Sequence, residues 1–320
     1  MDVSVIIVNY NTKDLLRNCL ESVFTQTQGI QFEVIVSDNG SGDGSQDMVR
    51  ELFPQVILIE NNANLGFGSA NNRGLDHAQG KYIFYLNSDT VLLNNAVKIF
   101  FDYWENFPDK ESLGALGANL LDADMEVIHS YGTFPELRNA IYHSSRALYG
   151  VVKLSLGKFL FRKEIPLLDA ASERTAYKEG DVDYSTGADL FLLNSPLARF
   201  DEGFFMYCEE TDMQEIMCSK GKRRILIPGP KIIHLCGASS SGVGKASSDA
   251  VQYFATFSSI HYNLSLIYYF RKRRQSKLGI FILKSLLFCI WINPLIWKKT
   301  RKGLPLHRFS RKAHNDWTMV

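Results

Sequence analysis

Cysteine is scarce in this 320-residue chain and forms no framework. The five present (Cys19, Cys208, Cys218, Cys236 and Cys289) are odd in number and include no CxxC pair. That argues against a disulfide scaffold and a structural zinc site, and it fits a reducing compartment. The common nucleotide-phosphate motifs are also missing. Asn61–Asn72 contains Gly66-Phe-Gly68, but after the third strand-like segment and without a third glycine, and Gly242–Ser247 holds a Gly-Lys pair without P-loop spacing. Both absences weigh against a dehydrogenase or an ATPase. No basic leader precedes the strand pattern Val3–Val8, so secretion is not expected. Internal repeats and low-complexity stretches are absent, and nucleic acid is not among the expected partners.

The chain also has almost no net charge, at +1, but the balance hides an asymmetry. From Arg271 to Val320 there are 13 Lys/Arg against one acid, Asp316, leaving 22 Lys/Arg against 33 Asp/Glu in the rest. An acidic body with a basic tail points to a catalytic part and a segment drawn to anionic lipid headgroups. Within the tail, Leu278–Trp297 is apolar except for Lys284, Ser285 and Asn293. Its 20 residues are just long enough to span a bilayer. Arg271–Arg274 and Lys298–Lys302 flank it on both sides, and moving either cluster across a membrane opposes the positive-inside rule. The expectation is therefore a segment embedded in the cytoplasmic leaflet, with a true span and a buried docking helix as alternatives.

What is there, at 46% apolar residues, is enough for one large domain with an appendage. Strand-type runs at Val3–Val8, Phe32–Ser37, Val56–Glu60 and Lys81–Leu86 alternate with helical patterns near 15–24, 46–53, 68–78 and 94–107. This rhythm predicts a mainly parallel α/β sheet with helices on both faces. Leu113–Leu121 reads as another strand, whereas Gly132–Lys178 reads as irregular. Order returns at Tyr184–Leu193, followed by a helix from about Glu209, strands at Arg224–Ile227 and Lys231–Leu235, and a long helix over Ser247–Arg274.

Polar residues gather where these elements turn. Asp89 ends a strand in Leu86-Asn-Ser-Asp-Thr90, the place where open α/β sheets meet ligands. It reads as an anchor for a cation and its diphosphate, or alternatively as a helix N-cap. Asp38-Asn39-Gly40 reads as a base-binding turn or as an Asx turn. The amide- and glycine-rich Asn61–Asn72 suits phosphate at a helix start. Glu209-Glu-Thr-Asp212 opens a helix with more acids than capping requires; Glu209 and Asp212 share a face and Glu210 points elsewhere. One such carboxylate can serve as a general base. His234, ending a short strand, reads as a core histidine or as a further corner of the site, beside the loop Cys236–Gly242.

Taken in order, these stretches resemble glycosyltransferase family 2, the inverting enzymes of GT-A fold, and within it bacterial rhamnosyltransferase-like members. The residues that carry the likeness are Val5–Asn11, Val36–Ser41, Asn64–Gly68 with Asn71, Leu86–Thr90, Ser185–Ala188, Phe200–Tyr207, Glu209–Asp212 and His234. The resemblance covers roughly residues 1–241. It implies a Rossmann-like GT-A domain over 1–245 and leaves 246–320 as a helical, basic and apolar, membrane-associating region. It implies that Asn9, Asp38, Asn39, Asn64, Gly66, Asn71, Asn87 and Asp89 line the nucleotide-sugar site. Asp89 and His234 would hold a divalent cation, Mg2+ or Mn2+, and Glu210 would be the general base. Gly187, Glu209 and Asp212 would shape the acceptor side. Asn87 stands where the family's DxD stretch has its first acid, and Glu210 where Asp is more usual.

The expectation is thus an inverting transferase acting in cell-surface polysaccharide synthesis at the cytoplasmic face of the inner membrane. It would move a sugar, rhamnose among the candidates, from a dTDP- or UDP-sugar to a saccharide acceptor, lipid-linked in the first instance. Two other classes compete. A non-catalytic nucleotide-sugar-binding subunit would lack donor hydrolysis. A nucleotidyltransferase would need a basic, glycine-rich phosphate loop, which Asn9-Tyr-Asn-Thr12 is not.

Overall fold

A computed structural model describes residues 1–160, 176–235 and 257–292, with backbone alone over 154–160. The Gly242–Ser247 pair, the Cys236–Gly242 loop and the Lys298–Lys302 cluster lie outside the described residues, as do the ends of two expected helices, 247–256 and 293–297. The chain falls into two compact units, one of Met1–Phe134 with Ser172–Gly242, the other of Pro135–Ala171 with Val243–Val320.

In the first unit the chain runs β1 (Val3–Asn9), α1 (Lys13–Gln26), β2 (Phe32–Asp38), α2 (Ser45–Leu52), β3 (Ile57–Glu60), α3 (Phe67–Leu75) and β4 (Tyr82–Asn87). There follow β5 (Thr90–Leu92), α4 (Ala96–Asn106), β6 (Leu113–Gly117) and β7 (Tyr131–Gly132). Beyond the second unit's α5 (Leu137–Leu160) come β8 (Gly180–Asp181), β9 (Tyr184–Ser185), β10 (Asp189–Leu193), α6 (Glu209–Ser219), β11 (Arg223–Leu226) and β12 (Ile232–His234). Eight strands form one sheet in the order β3-β2-β1-β4-β10-β6-β11-β8. The β3-β2-β1-β4 half is parallel, and β10 runs antiparallel between β4 and β6.

The parallel strands read as unbroken apolar runs because helices bury both of their faces. Val3, Val5 and Ile7 point to the side of α1, whose Leu16, Cys19, Leu20 and Val23 recur at helical spacing. Ile6, Ile35, Ile83 and Tyr85 point to the other side, with Phe200, Met213 and Met217. At the middle of the first face Phe84, Phe100 and Phe191 pack ring to ring, with centroids 5.3 and 5.5 Å apart for the pairs through Phe100. Register places the last residues of three strands side by side: Asn9 faces Asp38, and Val8 faces Asn87. The polar turns that follow therefore share one edge of the sheet.

Two elements differ from the sequence reading. Thr90–Leu92 leaves the Asp89 turn as a short strand paired antiparallel with Ile232–His234, so the next helix begins only at Ala96, with Asn95 and not Asp89 at its N-cap position. The stretch read as irregular contains the helix α5, in which Leu137 and Val151 are buried while Tyr142 and Tyr149 are exposed. Its apolar stripe is too thin to stand out in the sequence.

In the second unit α5 packs on the helix Lys277–Trp291, which also meets Phe257–Lys272. A 15-residue helix is about 22 Å long, short of the roughly 30 Å apolar core of a bilayer. Among the described residues no helix is long and apolar enough to cross a membrane.

Candidate active site

Side chains at the ends of β1 and β2 form a closed network. Asp38 is 1% exposed, and both of its oxygens accept hydrogen bonds from the chain itself. Oδ1 takes the backbone N–H of Gly40 and Ser41 at 3.0 and 2.8 Å and Gln46 Nε2 at 2.7 Å, while Oδ2 takes Asn9 Nδ2 at 2.7 Å. Asn9 spends the rest of its amide on Ser41 Oγ and on the Thr12 hydroxyl, which donates to Oδ1 at 2.6 Å. Since Thr12 gives its proton to Asn9, the 3.0 Å contact with Ser88 has Ser88 as donor. A continuous chain thus ties the Asp38 turn to the Asn87–Asp89 turn.

Asn39 is similarly spent: Nδ2 donates to the Gly66 carbonyl, and Oδ1 accepts from Asn61 and from the Leu65 N–H. Asn64 Oδ1 accepts the Gly66 N–H, and Asn71 donates to the Phe67 carbonyl. Gly66 itself has φ +90°, and a Cβ there would lie 2.2 Å from the Phe205 carbonyl oxygen, so no other residue fits.

The other end of the site is built differently. β4 carries Asn87 to the sheet edge, and pairing of β5 with β12 brings His234 across from Thr90. The result is a contact between residues 145 apart in sequence, His234 Nε2 lying 3.2 Å from Asp89 Oδ1. Asn87 Nδ2 lies 3.4 Å from the same imidazole nitrogen, and Asn87 Oδ1 is buried with no hydrogen-bond partner among the described residues. No three acids, histidines or cysteines converge among those residues, so the chain offers a carboxylate, an imidazole and an amide oxygen. That donor set fits a hard to borderline divalent cation that takes its remaining ligands from phosphate oxygens.

Glu210 joins this turn through two residues. The Asn87 N–H donates to the Ala188 carbonyl at 3.0 Å, and a Cβ on the neighbouring Gly187 would lie 3.5 Å from Glu210 Cβ. The backbone leading into α6 is strained: Tyr207 and Cys208 both have positive φ, 70° and 65°. Such conformations cost about 1–3 kcal/mol each and concentrate at functional sites. The N-cap residue Cys208 makes no side-chain cap bond, and the Glu210 carboxylate accepts hydrogen bonds from its own N–H and from Thr211 in the first turn.

Glu209 and Asp212 are buried and Glu210 is half-buried, as their spacing predicts. Burial raises the pKa of Glu210, opposed by hydrogen bonds from its own N–H and from Thr211. Burial, then the charge of Glu210, pushes Glu209 well above the ordinary carboxylate range. Glu209 Oε2 is buried and accepts no hydrogen bond among the described residues.

Asp189 escaped the sequence reading. It lies fully buried at the start of β10, with one oxygen accepting the Ala118 N–H at 2.7 Å. Burial raises its pKa strongly, against the field of His234. A lone acid opening the apolar run Asp189-Leu-Phe-Leu-Leu193 was the available signal.

The mainly parallel sheet that carries these polar turns at its carboxyl edge is consistent with the GT-A fold. The fold is similar to that of a mannosyltransferase from Pyrobaculum calidifontis solved with GDP-Man and Mn2+, an alignment covering 99% of this chain and 83% of that one, with a TM-score of 0.53 at 17% identity. That likeness is one of fold. Residues 4–119 match the model of glycosyl transferase family 2. An N-acetylglucosaminyl-diphospho-decaprenol L-rhamnosyltransferase of Mycobacterium tuberculosis is 27% identical over 268 residues, 79% of this chain and 82% of the relative. A UDP-Glc:alpha-D-GlcNAc-diphosphoundecaprenol beta-1,3-glucosyltransferase of Escherichia coli is 33% identical over 120 residues, 34% of this chain and 47% of the relative. The protein is a glycosyltransferase, and its likeness to family 2 lies over residues 4–119.

Proposed function

We propose that this glycosyltransferase moves a sugar from a dTDP- or UDP-sugar to a saccharide acceptor carried on a lipid diphosphate, with inversion at the anomeric carbon. The acceptor hydroxyl oxygen bonds to that carbon as its bond to the diphosphate breaks on the opposite face, and the nucleoside diphosphate leaves. Glu210 takes the hydroxyl proton; its raised pKa brings a carboxylate nearer to the working pH of a base. Asp89, His234 and the Asn87 amide oxygen would hold Mg2+ or Mn2+, which when bound supplies positive charge to the departing diphosphate. Asp38, Asn9 and Asn39 shape the nucleotide rim, their polar atoms being engaged by the chain; Asn64, Gly66 and Asn71 keep the adjoining turn in place. Gly187, Glu209 and Asp212 form the acceptor side. The observation that carries this reading is the 3.2 Å Asp89–His234 contact, tied to the Gly187–Glu210 contact by the hydrogen bond from the Asn87 N–H to the Ala188 carbonyl.

Rhamnose is the first sugar to test and a GlcNAc-diphospho-lipid the first acceptor, because the mycobacterial relative is named for that pair. Release of nucleotide should depend on Mg2+ or Mn2+ and on the acceptor, and Glu210→Gln should lower transfer about 10²–10⁴-fold. Transfer near wild type in Glu210→Gln, with loss in Asp212→Asn, overturns the base assignment.

The second unit is proposed to rest on the cytoplasmic leaflet of the inner membrane. Leu278, Phe281, Ile282, Phe288 and Ile292 are exposed on the helix Lys277–Trp291 and the residue after it, and Arg271, Lys272, Arg274 and Lys277 are exposed beside them. An apolar stripe with adjacent cations suits anionic lipid. Phe281→Glu should lower co-sedimentation with phosphatidylglycerol vesicles several-fold; unchanged binding would refute the surface.

A further inference from the structure

Gln214 lies in the second turn of α6, fully buried, and has no step of the proposed chemistry assigned to it. Its amide is nonetheless completely used. Oε1 accepts the Ser185 N–H at 2.9 Å and the Ser185 hydroxyl at 3.3 Å. Nε2 donates to the Ser185 carbonyl at 2.7 Å and to the Glu210 carbonyl at 3.2 Å. The contacts with the Ser185 N–H and C=O reproduce what an adjacent antiparallel strand would give it, both backbone groups of one residue bonded. The fourth returns to the residue that bears the proposed base.

The other side of Ser185 is equally defined. β9 pairs with β7, and the Thr186 N–H donates to the Ser130 carbonyl at 3.0 Å. Two residues on, Gly187 faces the Glu210 Cβ and the Phe67 ring. Ser185–Gly187 is thus a three-residue bridge whose one end is clasped by Gln214 and whose other end faces Glu210.

We propose that Gln214 is a positioning residue that holds Ser185–Gly187 against Glu210 and so fixes where an acceptor hydroxyl meets the base. This rests on the reading of Glu210 as base. Misplacement of reacting groups by about 1 Å costs on the order of 10²-fold in rate. Apolar packing cannot substitute, because the Ser185 N–H and C=O would be left buried without partners.

Gln214→Met keeps the volume and removes every hydrogen bond, so it separates the clasp from packing. In the full-length protein, amide hydrogen exchange at Ser185–Gly187 should accelerate at least ~10-fold, while β1 and β4 stay protected. In the transfer assay kcat should fall ~10–10²-fold and acceptor KM should rise, while affinity for UDP and dTDP with Mn2+ stays at the wild-type value. A structural role alone would lower the melting temperature and leave kcat per folded molecule unchanged. Unchanged exchange at Ser185–Gly187, or wild-type kcat in Gln214→Met, overturns the proposal. If Glu210→Gln retains transfer, the base assignment has failed; if Glu210→Gln is inactive and Gln214→Met is not, only the clasp has failed.

Discussion

The two sides of the site spend their polar groups in opposite ways. Around β1, β2 and α3, Asn9, Asp38 and Asn39 are buried, and each donates to or accepts from the chain at several atoms. Around β4 and α6, Asn87 Oδ1 and Glu209 Oε2 are buried without a hydrogen bond among the described residues, and the pKa of Glu210 is raised. A closed network stabilises the turns that carry it. Buried oxygens left unused lower stability and are retained where a ligand will use them. On the proposed reading the first side is scaffold and the second is site, although the sequence makes both look like candidate binding turns.

The sharpest test of that division is Asp89→Ala. Losing the carboxylate opposite His234 should reduce transfer about 10³-fold, the scale of several kcal/mol of charge stabilisation, and should weaken Mn2+ binding measured by water-proton relaxation. Thermal unfolding should barely change. A large fall in melting temperature with Mn2+ binding intact would place Asp89 among the scaffold residues and erase the contrast.

Asp38→Ala should show the reverse pattern. It strands the Asn9 amide, the Gly40 and Ser41 N–H groups and Gln46 around an empty acceptor position, at a cost of about 3 kcal/mol. The urea midpoint is the measurement. Asn72→Leu belongs to the same class with a smaller effect, about 2 kcal/mol, since Asn72 bonds both the N–H and the C=O of Phe200, each at 2.9 Å. Phe200 begins the Phe200–Tyr207 stretch that leads into α6, so this variant also shows whether the scaffold must be intact for Glu210 to work.

Much of this fold was legible because β1, β2 and β4 are buried on both faces and write themselves as apolar runs. Asp89 was legible as a residue just past a strand of the main sheet, whose carboxyl edge is set by strand direction alone, and His234 as the end of a short strand, which pairs with β5 outside that sheet. What escaped depends on partners distant in the chain. Thr90–Leu92 is a strand only because Ile232–His234 lies beside it. Asp38 reads equally as ligand or as turn-builder until Gln46 and Asn9 are seen on it. Gln214 has no sequence signature at all, because its meaning is the backbone of Ser185, 29 residues earlier.

The mildest change expected is Glu209→Gln, and its sign is the informative part. Burial raises the folded-state pKa of Glu209 above that of the unfolded chain, so the folded protein binds the proton more tightly. Stability from this group is fully present below the unfolded pKa, near 4, and declines as pH rises toward the folded value. Glutamine has no proton to lose. Glu209→Gln should therefore match wild type near pH 4 and melt a few degrees higher at pH 7. Its transfer rate should fall if the unused Oε2 serves the acceptor. A variant that melts lower at pH 7 would mean that Glu209 is bound into the fold as Asp38 is, and that the acid side is scaffold as well.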